Sequence, residues 1–213
     1  MNKKERLAEF NRNNILDTAK LLFLEKGITQ TTMDDIAKKA DYSKSTIYVY
    51  FKSKEEIFDY IVLEYITLLK DGIDKAVSNA KEFADGYFAI CNMMVDFYNT
   101  YPMYFDSILG EIKIVTDESN PVLFKIYAVG EQINDIIESY VKDCIDKGEI
   151  CTDLEPLTQT IFALWAGICG IVLLAHKKEE YILKRMNVSK DMFMQNGFKL
   201  LLKSIIKEDV NHG

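Results

Sequence analysis

The sequence predicts an all-α fold of about nine helices, the first three of which form a small N-terminal module. Helix-breaking residues are scarce, since the 213 residues contain three prolines and no glycine between Gly27 and Gly72. Long stretches without such breakers favour helix. Apolar residues recur at helical spacing, and strand-like alternation bounded by turn residues is not found. We therefore expect two helical domains, residues 1–52 and 53–213.

The first helix is expected over about residues 4–26, and Gly27 stands where a left-handed cap would end it. One face of this helix is apolar: Ile15, Ala19, Leu22, Phe23. A short second helix follows Thr32, whose side chain can cap it together with Asp35 three residues later. Asp41 and Tyr42 then form a tight turn.

Ser43 is the expected N-cap of a third short helix that runs to about Phe51. The sequence Ser53-Lys54-Glu55-Glu56 has the pattern of a capping box, so a long fourth helix is expected from there to about Val77. The remaining helices are expected at about 82–100, 103–112, 120–146, 153–176 and from 189 onward. Prolines separate several of them, because the residue before proline avoids helical geometry and Asn120-Pro121 suits a helix start.

The charge is distributed unevenly along the chain. The net charge of −7 at first argues against a nucleic-acid partner. Residues 1–55, however, hold 11 Lys and Arg against 8 Asp and Glu, whereas the rest of the chain holds 15 against 25. A mildly basic module on an acidic body indicates that only the N-terminal end contacts phosphate.

The second and third helices have the pattern of a helix-turn-helix, in which the second helix of the pair enters a DNA major groove. Its N-terminal end is small and polar, as base recognition requires, while Ile47 and Phe51 can pack inward. Tyr48 and Tyr50 can offer hydroxyls to phosphates, and Lys54 adds charge at the next helix N-terminus. The predicted DNA-binding residues are Thr32, Ser43, Lys44, Ser45, Thr46, Tyr48, Tyr50 and Lys54. The alternative is that residues 43–51 form an ordinary surface helix.

The stretch from about residue 10 to residue 58 resembles the DNA-binding domain of TetR-family transcriptional regulators. The distinctive residues are Thr46, Tyr48, Phe51, Lys54 and Glu55. Asp41 and Ser45 stand where relatives often have glycine. The resemblance implies a homodimer that binds a palindromic double-stranded DNA operator, acts as a repressor and is released by a small molecule. It also implies a helical ligand-binding and dimerisation body.

Aromatic residues are concentrated in that body, and 19 of the 25 lie after residue 55. Aromatic side chains near methionines can line an adaptable apolar pocket, so we expect a hydrophobic or amphipathic ligand. The predicted ligand-binding residues are Met94, Phe97, Tyr98, Tyr101, Tyr104, Phe105, Phe124, Tyr127 and Trp165. The alternative for each of them is ordinary core packing.

The segment Ile161–Ala175 is the most apolar of the chain. Its 15 residues are fewer than the ~20 that span a bilayer, so we expect a soluble buried helix that serves dimerisation, core packing, or both. Gly167 and Gly170 would permit close helix approach. The predicted dimerisation residues are Ile161, Gly167, Ile168, Phe193, Phe198, Leu201 and Leu202.

Other functional classes find little support in the sequence. Two histidines and irregularly spaced cysteines offer no metal site, and no nucleophile–base pair or glycine-rich phosphate loop indicates an enzyme or a cofactor. The N-terminus lacks the pattern of a secretory signal, so we expect a cytoplasmic protein without membrane contact. The alternatives are a DNA-binding accessory or architectural protein of this fold that has no inducer and, less favoured, a helical enzyme.

Overall fold

The structure is a computed structural model that describes residues 2–110, 114, 120–151 and 156–206. These residues form ten helices, which confirms the predicted all-α class. They are α1 (Lys3–Gln30), α2 (Met33–Lys39), α3 (Lys44–Tyr50), α4 (Lys54–Ser78), α5 (Phe83–Thr100), α6 (Pro102–Ile108), α7 (Pro121–Asp146), α8 (Leu157–Lys177), α9 (Glu179–Met186) and α10 (Lys190–Lys203). Within the described ranges, extended backbone pairs only in a single bridge between Ile150 and Ile206.

The chain divides into two compact units. The first comprises α1 to α3, α4 as far as Thr67 and the start of α7 as far as Ala128. The second comprises the remainder of α4 and α7 together with α5, α6 and α8 to α10. The division therefore falls inside α4, whereas the sequence placed a domain boundary between residues 52 and 53.

Helix α1 begins at a capping box formed by Asn2 and Glu5. Gly27 interrupts its helical geometry with φ 80° and ψ 160°, and the helix continues beyond it to Gln30. Gly27 is thus the special position that the sequence predicted, but it does not end the helix. A positive φ of this kind is readily adopted by glycine because it has no Cβ.

The caps of the next two helices form as predicted. The Thr32 hydroxyl accepts a hydrogen bond from the backbone N–H of Asp35 at 3.1 Å, and the Asp35 carboxylate accepts one from the Thr32 N–H at 2.9 Å. Asp41 turns the chain with φ 60°, which Asp tolerates better than most residues. Ser43 accepts from the Thr46 N–H at 3.1 Å and starts α3.

Helix α9 is the element that the sequence analysis missed. Its first turn contains Glu179 and Glu180 and its last turn contains Lys184 and Arg185, an arrangement that complements the helix dipole. Asn187 then ends it in left-handed geometry, with φ 55°. These signals were present in the sequence, but eight residues are too few for a clear apolar period.

Helices α8 and α10 pack through reciprocal glycines. A Cβ built on Gly167 of α8 would lie 2.8 Å from the Leu201 Cδ1, and one on Gly197 of α10 would lie 2.8 Å from the Ile171 Cδ1. Each glycine therefore makes room for a branched side chain of the other helix. Tyr87 of α5 adds a hydrogen bond to the Phe198 carbonyl at 2.9 Å.

Helix α8 is longer than the 15-residue apolar segment that was compared with the thickness of a bilayer. It spans 21 residues, and by length and composition it could cross a membrane. Such a helix is weak evidence for a membrane protein, because core helices of soluble proteins pass the same test. Only 22% of its most apolar window is buried within the chain, however, so core packing accounts for only part of the burial that was expected.

Candidate nucleic-acid interface

Helix α3 presents one apolar face inward and a mixed face outward. Ile47 and Phe51 are fully buried, as predicted, whereas Tyr48 is 47% and Val49 78% exposed. An isoleucine one turn before a phenylalanine thus fixes which side of this short helix faces solvent. The exposed side is available to a partner over its whole length of seven residues.

The N-terminal end of α3 carries a cluster of hydroxyl groups. The Ser43 hydroxyl lies 2.8 Å from those of both Ser45 and Thr46. Ser43 and Ser45 are exposed and Thr46 is half-buried. The Ser43 hydroxyl caps α3 by accepting a hydrogen bond from the Thr46 N–H. The structure therefore brings together three of the predicted base-reading residues at the start of α3.

Lys44, the first residue of α3, forms an ion pair with Asp34 of α2. Their Nζ and Oδ1 atoms are 2.7 Å apart, and both side chains are more than half exposed. The hydrogen bond to Asp34 raises the pKa of Lys44 above its usual range. Sequence reasoning missed Asp34 as a neighbour of the predicted base-reading residue.

Tyr50 is half-buried at the end of α3, where its hydroxyl accepts a hydrogen bond from the Asn11 amide at 3.0 Å. The same amide side chain accepts one from the Tyr42 hydroxyl at 2.9 Å. Asn11 of α1 therefore ties the turn before α3 to the end of α3. The Tyr50 hydroxyl can still donate its own proton to an acceptor outside the protein.

Lys54 lies in a different environment from the one predicted. Its ammonium group donates to the carbonyls of Ile28, Thr29 and Thr31 at 2.9–3.0 Å. These three acceptors match the three donors of a lysine, so the geometry does not support the predicted phosphate contact. Instead, Lys54 satisfies carbonyl groups at the end of α1 and joins that end to the start of α4.

Several other cations of the module are occupied by protein partners. Lys20 pairs with Glu64 at 2.8 Å, Lys26 with Asp35 at 2.7 Å and Lys39 with Glu25 at 3.0 Å. The Arg12 guanidinium lies over two rings, those of Phe51 and Tyr60, at 4.7 and 3.9 Å. Among the described residues of the first 55, the cationic groups with no protein partner are Lys3, Lys4, Arg6, Lys38 and Lys52.

The predicted ligand-binding residues fall into three places. Met94, Phe97, Tyr104 and Phe105 are buried in the second unit. Tyr98 and Tyr101 are half-buried beside them, with ring centroids 5.0 Å from Phe105 and 5.4 Å from Phe97 respectively. Trp165 is half-buried on α8, and Phe124 and Tyr127 belong to the first unit.

This close ring packing agrees with the core-packing alternative, and the nine residues remain a prediction as a ligand site. A groove of about 320 Å³ does open between α4 and α5. It is lined by Gly72, Lys75, Ala76, Asn79, Ala80, Asp85, Ala89 and Met93. None of the nine predicted residues lines this groove.

The predicted dimerisation residues are partly internal. Ile161, Ile168, Phe198 and Leu202 are buried within the single chain, Leu201 packs on Gly167, and Phe193 is half-buried. A row of exposed or half-buried apolar residues of α8 lies beside them, at i, i+4, i+8 and i+12. This stripe consists of Phe162, Ala166, Gly170 and Leu174, and the space beside Gly170 is open.

The three-helix module and its capped, exposed α3 define a helix-turn-helix protein. Residues 15–61 match the family model described as bacterial regulatory proteins, tetR family. The uncharacterized HTH-type transcriptional regulator YhgD of Bacillus subtilis is 30% identical over 134 residues, which are 63% of this chain and 66% of YhgD. IcaR of Staphylococcus aureus, a negative transcriptional regulator of the biofilm operon icaADBC, is 43% identical over 51 residues, 24% of this chain and 27% of IcaR.

Solved structures agree with this fold along nearly the whole chain. A SmeT–triclosan complex has a TM-score of 0.66 at 20% identity and covers 94% of this chain and 93% of its own. FadR, a fatty acid degradation regulator from Bacillus halodurans, has a TM-score of 0.65 at 18% identity, covering 95% and 97%. The aligned segments span about two thirds or less of the curated relatives' lengths.

This chain belongs to the TetR family of bacterial regulatory proteins. Its helix-turn-helix, α2 and α3, lies within the matched residues 15–61.

Proposed function

We propose that the protein is a homodimeric repressor that binds a palindromic operator and is released by a small hydrophobic or amphipathic molecule. The observation that carries this proposal is the N-terminal end of α3, where Ser43, Ser45 and Thr46 form an exposed, rigidly capped hydroxyl cluster. Side chains of this size and polarity suit base edges in a major groove. Lys44 stands next to them and suits the O6 and N7 acceptors of guanine.

The phosphate contacts come from groups that the protein leaves unoccupied. Tyr48 is exposed and Tyr50 keeps a proton to donate, so both serve as neutral phosphate donors. Lys52 follows α3 directly and replaces Lys54 as the nearby cation. Lys3, Lys4 and Arg6 add charge at the start of α1. The Thr32 hydroxyl and N–H, in contrast, already donate to the Asp35 carboxylate at 2.7 and 2.9 Å.

A second copy of the chain covers the stripe of Phe162, Ala166, Gly170 and Leu174 on α8. Small residues within the stripe let two helices approach closely, and an exposed apolar surface of this kind marks an interface. A two-fold dimer places its recognition helices about 34–36 Å apart, one turn of DNA. The covered stripe also fits a soluble protein of the cytoplasm, where an operator is accessible.

Induction acts through α4. Its first three turns are fixed to α1 by Lys54, by the Lys20–Glu64 pair and by an edge contact between Phe23 and Phe58 at 6.0 Å. A ligand that prefers a tilted α4 therefore moves α1 to α3 together, and the spacing of the recognition helices no longer fits the operator. SmeT is named as the repressor of a multidrug efflux pump and has been solved with triclosan, which supports an apolar effector here.

Selection of duplexes from a random-sequence library tests the DNA-binding part. Enrichment of a palindrome with half-sites one helical turn apart is expected, and enrichment of no sequence would contradict the proposal. Gel-shift titration of the selected duplex with a panel of apolar compounds, triclosan included, then tests induction. Unchanged affinity across that panel would favour the accessory-protein alternative, a DNA-binding protein of this fold without an inducer.

A further inference from the structure

We propose that Asp34 increases the sequence specificity of DNA binding. Its ion pair with Lys44 lowers the contribution of this lysine to binding, except on duplexes that offer a base acceptor at that position. This inference rests on the proposed DNA-binding function. It concerns a residue of α2 that faces the recognition helix and carries the charge opposite to that expected at a DNA surface. Its role follows from three features: the geometry of the ion pair, its exposure and the donors of a lysine.

The ion pair is well formed and easily exchanged. Lys44 Nζ and Asp34 Oδ1 are 2.7 Å apart, and the two side chains are 56% and 65% exposed. Exposed pairs contribute little to stability, since water competes for both charges. Asp34 therefore keeps a negative charge beside the Lys44 ammonium group in the free protein, while the Lys44 side chain can still turn towards DNA.

The ion pair lowers the contribution of Lys44 to the affinity for DNA of any sequence. A lysine without a partner neutralises a phosphate and releases a counterion, which favours all duplexes equally. A lysine already neutralised by a carboxylate gains little from that exchange, and the carboxylate itself is repelled by phosphates. Nonspecific binding is weakened as a result.

On a duplex with guanine at this position, Asp34 does not lower the contribution of Lys44 to affinity in this way. The ammonium group has three donors, so two of them can reach the O6 and N7 atoms of guanine while the third stays on Asp34. Asp34 then positions the lysine rather than competing with the base. The presence of one acidic residue thus lowers the affinity for wrong sequences more than for the correct one.

Asp34→Asn tests this inference, and Glu25→Gln is the matched control. Glu25 also pairs with a lysine of the module, Lys39 at 3.0 Å, and its side chain is likewise 65% exposed. Both substitutions remove one negative charge and keep the shape of the side chain. Dissociation constants are measured over a salt series on two duplexes, the one selected by the wild-type protein and a shuffled one of the same composition.

We expect Asp34→Asn to tighten binding to the shuffled duplex by up to about eightfold at 0.1 M salt and to steepen its salt slope by about 0.9, as one more released counterion requires. Binding to the selected duplex changes less, so the specificity ratio falls. Glu25→Gln should change the dissociation constants of both duplexes by the same factor. An unchanged ratio in Asp34→Asn, or equal falls in both variants, would overturn the inference.

A double-mutant cycle with Lys44→Ala separates Asp34 from other effects. In the Lys44→Ala background, Asp34→Asn should leave the specificity ratio unchanged, and a persisting fall would show that Asp34 does not act through Lys44. Thermal unfolding of each variant checks that the module stays folded. Failure of the wild-type protein to distinguish the two duplexes would instead overturn the proposed function.

Discussion

The side chain of Lys54 joins two helices, since its ammonium group donates to three carbonyls at the end of α1. Lys54→Met keeps most of the apolar stem and removes these bonds. We expect a loss of about 1.5–3 kcal/mol in the free energy of unfolding, the usual range for hydrogen bonds to a charged group. Urea unfolding followed by circular dichroism measures it.

Lys52→Met is the control for that experiment, because Lys52 is exposed two residues earlier. It should leave the free energy of unfolding unchanged and weaken binding to all duplexes. The reverse result, in which Lys54→Met weakens DNA binding without destabilising the fold, would restore a phosphate contact for Lys54.

The four cysteines should differ in reactivity. Burial raises the pKa of both Cys91 and Cys169 to about 12 and also raises that of Cys144. Cys151 is half-buried, and its thiol lies 3.5 Å from the Ile206 carbonyl. Because the thiolate is the reactive form, iodoacetamide at pH 8 should label Cys151 first and the other three only after unfolding.

Mass spectrometry of tryptic peptides taken over time locates the label. Cys151→Ser should abolish the fast phase of labelling in the folded protein. Labelling of Cys91 as fast as Cys151 would show that the core around α5 opens readily.

Single residues of the DNA interface were predictable where local chemistry decides their position. Ser43 and Thr32 are caps, and a cap depends on neighbours within three residues. The partners of Lys44 and Lys54 lie 10 and 23–26 positions away in sequence. Such partners depend on how α1, α2 and α4 pack, and the pattern of a single sequence does not contain that information.

At the scale of helices, the contact of α8 with α10 depends on glycine. Gly197→Ala gains up to about 1 kcal/mol of helix propensity, but its Cβ would meet the branched side chain of Ile171 at 2.8 Å. Ile171 is stiff at χ1, and overpacking of this kind costs about 1–3 kcal/mol. We therefore expect a net loss of up to about 2 kcal/mol in thermal or urea unfolding.

Gly130→Ala supplies the matched comparison, since Gly130 is also inside a helix but has open space around the built Cβ. It should stabilise the protein by about 0.5–1 kcal/mol through propensity alone. Shifts of the same sign in both variants would contradict the packing argument.

Long helices with a clear apolar period were predicted to within a few residues. Helix α4 was expected over 53–77 and runs over Lys54–Ser78. Helix α6 ends at Ile108, earlier than expected, and residues 111 and 112 of that prediction lie outside the described ranges. The same holds for residue 153, where the next-to-last predicted helix was expected to begin. Two turns of helix, as in α9, are too short to show a period.

At the scale of the whole molecule, the proposed dimer depends on the stripe of α8. Phe162 is 46% exposed, and Phe162→Glu would place a charge within an apolar contact, where it lacks a partner. We expect this variant to be a monomer in light-scattering chromatography and to lose binding to a two-half-site duplex. Leu183→Glu is the control, because Leu183 is exposed on α9 outside the stripe.

A dimeric Phe162→Glu protein would exclude the stripe as the interface. The sequence identified α8 as the element concerned but not the face, because it is apolar nearly all round. The packing of α10 against Gly167 shows one side that is already covered. The ligand site was predictable least of all, since aromatic residues at helical spacing serve a core and a pocket equally well.

The exposed stripe has a consequence for the order of folding. In the proposed dimer, the apolar stripe of α8 is covered only after two chains have met. The last step of folding is therefore bimolecular, with a rate that rises with protein concentration. Refolding from urea should accordingly show a slow phase that accelerates on concentration, and dilute nascent chains would expose the stripe for longest.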